Sequence, residues 1–116
     1  MLSNNFSRSE FRCKCGCGFD TPDDKLVKLL EEIRTQAGNK PIYINSACRC
    51  VIHNKNVGGS NTSQHILGKA ADIRCNHKTP DELSYIANEI LGLTGGVGVY
   101  NTFCHVDVRD TMARWS

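Results

Sequence analysis

The sequence predicts an α+β domain, with a small, mainly antiparallel sheet and two main helices packed on one of its faces. Three observations carry this prediction. Two segments open with helix-start signals and continue with helical apolar spacing, short β-rich runs alternate with them, and the last two such runs are joined by a tight turn. At 116 residues, with no Pro/Ser-rich or charge-block linker, the chain reads as one domain over 1–116.

Taken in order, Ser7 followed by Glu10 is a capping box for one short turn, and the Gly-rich Cys13–Gly18 segment ends it. Thr21 reads as an N-cap, Pro22 as the first helical residue, and Asp23 and Asp24 as an acidic first turn. Leu26, Leu29, Leu30 and Ile33 then form one apolar stripe, and Gly38 closes the helix. After Gly38-Asn39-Lys40-Pro41, the run Ile42–Ser46 reads as a short strand. From Ala47 to Gln64 the chain is polar and shows no periodicity, so a long loop is expected there, of the kind that borders functional sites in small domains. Ala70–Arg74 is a second strand. Thr79-Pro80-Asp81-Glu82 repeats the cap, proline and acidic-turn signature and starts a helix with Leu83, Ile86, Ala87 and Ile90 inward. Gly95-Gly96 lead into Val97–Tyr100, and Asn101-Thr102 turn the chain into Phe103–Arg109, whose period-2 pattern makes it the hairpin partner.

Charged residues at 22% and hydrophobic residues at 40% suit a globular domain. A formal charge of +2 without a clustered basic face argues against a nucleic-acid partner. No apolar run approaches the ~20 residues of a membrane span, and the start MLSNNFSRSEF lacks the basic-then-apolar order of a secretory leader. Synthesis in the cytosol, no membrane association and a monomeric state are therefore expected. Seven cysteines cannot all pair within one chain. The C-x-C spacing of Cys13, Cys15 and Cys17, and of Cys48 and Cys50, matches structural zinc less well than C-x₂₋₄-C, so buried or partly oxidised cysteines are expected rather than a second metal.

Chemistry concentrates around Ser63–Asp72. A histidine, His65, sits in a loop and an aspartate, Asp72, in the following strand, with Gly68 between them permitting a reversal that aims both at one point. Imidazole nitrogen and carboxylate oxygen suit Zn²⁺, and a catalytic zinc takes three protein ligands and keeps a fourth position open. His105 is the best third ligand, because in Cys104–Arg109 it shares a strand face with Asp107 while Val106 and Val108 point to the core. By spacing alone, a buried histidine hydrogen-bonded to a structural aspartate accounts for the pair at least as well.

The segment Ser63-Gln64-His65-Ile66-Leu67-Gly68-Lys69-Ala70-Ala71-Asp72 resembles the SxHxxGxAxD signature of the zinc D-Ala-D-Ala peptidase family. Ile44–Cys50 is similar to that family's strand followed by an essential arginine. Gly96–Tyr100 with Phe103–Arg109 resembles the closing hairpin of its short members, and Asn5–Cys13 also resembles these domains. The resemblance implies the α+β fold shared with the hedgehog signalling domain, with His65, Asp72 and His105 as Zn²⁺ ligands. It also implies Arg49 on the substrate carbonyl or carboxylate, and Ser63 holding substrate or the loop. The implied reaction is hydrolysis of peptide bonds involving D-amino acids in peptidoglycan stem peptides or crosslinks. The enzyme would be a D,D-carboxypeptidase, an endopeptidase, or a phage or prophage endolysin released to the cell wall. The alternative is a non-catalytic zinc-containing cell-wall-binding or hedgehog-like module.

One position departs from the family pattern. Several branches carry an acid three residues before the last histidine, where this chain has Thr102. Asp107 is the expected substitute as general base, although an aspartate that orients His105 has the same sequence signature. His53 and His77 read as exposed loop histidines. Tyr43, Tyr100 and Trp115 are candidates for an aromatic floor, with core packing the competing account.

Overall fold

A computed structural model describes residues 1–116. Helix α1 (Asp24–Gln36) turns Leu26, Leu29, Leu30 and Ile33 into the core as the stripe requires, and Gly38 follows it at φ +93°. Its start differs from expectation. The N-cap is Asp23, whose carboxylate accepts the Lys25 N–H at 2.8 Å, rather than Thr21. The reason is tertiary: the Asp23 N–H is donated to Gly68 O at 2.8 Å, which holds the chain extended up to that residue.

Strand β1 (Tyr43–Ser46) follows, and then the stretch read as a long loop contains a helix, α2 (Val51–Asn56), capped by Cys50. This corrects the expected loop over 47–64. Val51 and Ile52 lie exposed on α2, so it carries no inward apolar stripe that a sequence pattern could reveal. A 3₁₀ turn at Gln64–Leu67 leads to β2 (Ala70–Arg74). Helix α3 (Pro80–Leu91) has the expected capping box between Thr79 and Glu82. Strands β3 (Gly96–Val99) and β4 (Cys104–Asp107) form the expected hairpin, and the Ser7–Glu10 capping box closes a 3₁₀ turn over Arg8–Phe11. A three-residue strand, β5 (Ala113–Trp115), was not foreseen and pairs parallel to β3.

The sheet runs β1-β2-β4-β3-β5, antiparallel except at its β3–β5 edge. Strand alternation gives it two chemically different faces. Ala71, Ile73, Cys104, Val106 and Val97 point toward α1 and α3 and join one 19-residue buried cluster that also takes in Phe6 and Phe11. Asp72, His105 and Asp107 occupy the other face.

Register then does the assembly. Ser46 pairs with Asp72, Asp72 with His105, His105 with Gly98, and Gly98 with Trp115, so a single row crosses all five strands. The adjacent row holds Ala70, Asp107, Gly96 and Ala113. Gly98 and Gly96 are needed for close approach: a Cβ on the first would collide with the Trp115 indole, and on the second with the Asp107 carboxylate. No helix is long and apolar enough to cross a membrane.

Candidate metal centre

His65 is carried by the 3₁₀ turn after Ser63, whose hydroxyl accepts the His65 N–H at 3.2 Å. Gly68 ends that turn at φ +71° against the Thr21 carbonyl, where a side chain would be strained and crowded, and the reversal delivers Asp72 to the same point as His65. His105 arrives from β4 through its register with Asp72. All three side chains are buried, and one donor atom from each lies within 4.8 Å of the others.

Both imidazoles are oriented from behind, and on opposite nitrogens. The Ala47 carbonyl accepts from His65 Nδ1 at 2.7 Å, which leaves Nε2 of that ring facing Asp72 Oδ1 at 3.3 Å. Asp107 Oδ2 accepts from His105 Nε2 at 2.7 Å, which leaves Nδ1 facing the same Asp72 oxygen at 3.0 Å. The second Asp72 oxygen accepts from Arg49 Nη2 at 3.2 Å. A tetrahedral zinc with ~2.0–2.1 Å bonds separates neighbouring ligand atoms by about 3.3 Å, so these spacings fit Zn²⁺ with little adjustment. Zn²⁺ is the metal this donor set suits: two neutral imidazoles and one carboxylate, each held by an outer partner.

Without a metal, the same groups hold one another as a hydrogen-bonded charge cluster. Burial alone would raise the Asp72 carboxyl, but the His105 and His65 rings overcome it and hold the acid well below the usual carboxylate range. Burial would likewise lower His105, yet Asp107 and Asp72 push it upward. Asp107, though fully buried, is held low by His105 and by Arg109. Arg109 donates through Nε at 2.8 Å and Nη2 at 2.7 Å, a two-pronged grip on both Asp107 oxygens.

The centre floors a cleft of about 560 Å³. One wall is the segment from Val57 to Gln64 and the other is Tyr100, Phe103 and Trp115. The structure brings Arg49, Ser63, His65, Asp72 and His105 together on this cleft; Asp107 stands behind His105, with no exposure to it. Thr102 lies outside the lining. Of the aromatic candidates, Tyr100 and Trp115 line the cleft, joined by an indole N–H donated to the Tyr100 hydroxyl at 2.9 Å, whereas Tyr43 packs under Arg74 elsewhere. His77 is exposed and His53 is half-buried on α2, outside the cleft.

Arg49 uses three of its five N–H groups internally, on Ser46 Oγ at 3.0 Å, Asn54 Oδ1 at 3.3 Å and Asp72. Two remain for a ligand. Asn54 and Arg109 belong to the site as well, without a sequence motif that marks them. Asn54 is buried and also donates to Ser60 O at 2.8 Å, tying Arg49 to the cleft wall, and Gly59 packs too closely on it to carry a side chain.

Comparison with known proteins agrees with this geometry. Residues 4–107 match the family model described as peptidase M15. A 44-residue stretch is 46% identical to the zinc D-Ala-D-Ala carboxypeptidase of Streptomyces albus G, covering 38% of this chain and 17% of that enzyme. With the match extending from before the first turn to the end of β4, the chain belongs to the peptidase M15 family.

Proposed function

We propose that this chain is a zinc-dependent peptidase that hydrolyses peptide bonds involving D-amino acids in peptidoglycan stem peptides or crosslinks. The observation that carries the reading is the His65–Asp72–His105 centre at the floor of an open cleft, with the Arg49 guanidinium beside it. Zn²⁺ bound there supplies Lewis-acid polarisation of the scissile carbonyl and activation of water. Arg49 offers its two free N–H groups to a substrate carboxylate or to the oxygen on which charge develops. Ser63 caps the turn that carries His65, and so sets where the ring points. Tyr100, Phe103 and Trp115 provide a wall against which a peptide can pack.

The enclosure of Asp107 and its engagement by His105 and Arg109 support an orienting role for it over that of general base. The likeness to a zinc D-Ala-D-Ala carboxypeptidase favours a carboxypeptidase, and the open cleft leaves room for an endopeptidase.

The test is zinc-loaded full-length protein incubated with a stem peptide ending in D-Ala-D-Ala and with a crosslinked muropeptide, following free D-Ala and new amino groups. Release from either substrate, absent with the L-Ala peptide and after chelation, is expected. Zinc-loaded protein that sediments with purified peptidoglycan but cuts neither substrate would favour a second reading, a non-catalytic zinc module. One observation speaks for that reading: Asp72 is the only carboxylate lining the cleft.

A further inference from the structure

A second cluster lies outside the cleft. Cys13, Cys15 and Cys17 come from the loop after the first 3₁₀ turn, and Cys50 from the residue that caps α2. Their sulfurs all lie within 4.8 Å of one another, although Cys50 is 35 residues from Cys15. Cys15 Sγ stands 3.5 Å from Cys13 Sγ and 3.6 Å from Cys50 Sγ. Four thiolates around zinc at ~2.3 Å place neighbouring sulfurs about 3.8 Å apart, so the two Cys15 separations lie close to a tetrahedron's edges and the other sulfur pairs, all within 4.8 Å, are in reach of the same ion. A disulfide can join Cys15 to only one of its two near neighbours, and would leave the other sulfur unused at that range.

The surroundings are those of a thiolate site. The Cys50 N–H is donated to Cys13 Sγ at 3.4 Å and the His53 N–H to Cys50 Sγ at 3.3 Å, which places backbone donors on sulfurs that would carry negative charge. The cluster also sits where two segments need joining. The Cys13 N–H is donated to Phe19 O at 2.8 Å and the Cys48 N–H to Phe11 O at 3.0 Å, so the cysteine loop is already laid against the strand that leads to Arg49.

We propose that Cys13, Cys15, Cys17 and Cys50 form a structural Cys₄ site for zinc, separate from the His65–Asp72–His105 centre. On binding, the four thiols release their protons and the metal takes four sulfurs, leaving no open position and hence no hydrolytic role. The site ties the N-terminal loop to the segment carrying Arg49, the residue immediately before Cys50.

The test is metal content by elemental analysis and native mass spectrometry of full-length protein purified under reducing conditions. About two zinc ions per chain are expected. The double variant Cys15→Ser/Cys17→Ser alters exposed residues and should keep about one, and His65→Ala/His105→Ala should also keep about one. Cobalt-loaded protein should show intense sulfur-to-metal charge-transfer absorption that survives in the histidine variant and disappears in the cysteine variant. This separates the proposal from the peptidase reading, because the histidine variant is inactive in either case. Wild-type protein with a single metal and no thiolate absorption overturns the proposal even if the cysteine variant fails to fold. So does a Cys15–Cys50 disulfide found in the reduced preparation.

Discussion

The His65–Asp72–His105 centre and the four-cysteine cluster are built on opposite plans. In the first, two of the ligands stand on paired strands, and each donor atom is aimed by a further group: Ala47 O, Asp107 or Arg49. In the second, the sulfurs come from a loop and a helix cap, two of them exposed, and they meet one another and two backbone N–H groups, with no side chain behind them to aim them. The difference teaches that one site is shaped by the fold and the other shapes it. A centre aimed by hydrogen bonds persists without its metal, whereas a loop held through sulfur loses its constraint when the metal leaves.

The sharpest way to break this contrast is to remove one ligand from the first centre. His105→Ala should abolish zinc at that site and reduce peptide hydrolysis to background while the thiolate spectrum stays. Retained hydrolysis would remove His105 from the chemistry. Next in size, Arg49→Ala should keep zinc and lower kcat/KM by roughly 10²–10³-fold, through lost stabilisation of developing charge. Asp107→Asn comes third. As an orienting residue it should weaken zinc binding about 10–100-fold, with activity restored by excess metal. Zinc affinity unchanged, with hydrolysis down roughly 10²–10⁴-fold, would instead make Asp107 the base.

Chelation sharpens the comparison at the level of stability. In metal-free protein, amide protection in β2 and β4 should persist while the Cys50 and His53 amides exchange freely, measured by hydrogen exchange. Equal loss in both regions would show that the sheet also depends on metal. The smallest effect concerns a second tether of the same N-terminal segment, Glu31, which accepts from Ser3 Oγ and from both nitrogens of Asn5. Burial pushes this carboxyl up, but the Asn5 and Ser3 donors more than offset it, so its folded value is lowered. Its contribution is therefore present above the ordinary glutamate value of about 4.3 and is lost as pH falls through the lowered folded value. Glu31→Gln should cost about 0.5–1 kcal/mol at neutral pH, and the difference from wild type should vanish in acid.

What the sequence revealed was mainly local. The Thr79–Glu82 and Ser7–Glu10 boxes, the α1 stripe and the alternation of Cys104–Asp107 each rest on residues a few positions apart, and each has its counterpart in the structure. The His65–Gly68–Asp72 reversal was legible for the same reason. What stayed hidden depends on distant partners. Nothing near Cys50 signals that it meets Cys13–Cys17, and β5 is three residues whose pairing with β3 is set by the fold. A carbonyl such as Ala47 O has no residue-type signature at all, and Asp23 takes the cap from Thr21 only because Gly68 reaches back to it.

The row Ser46–Asp72–His105–Gly98–Trp115 has a consequence for errors in folding. Strand side chains alternate, so sliding β4 by one residue would turn His105 and Asp107 into the apolar core and send Cys104 and Val106 out to the cleft. A misregistered sheet would thus forfeit its core and its chemistry in the same step, leaving no partly active, mispaired species. Zinc retention by the histidine centre is then a direct assay of correct strand pairing, readable without any substrate.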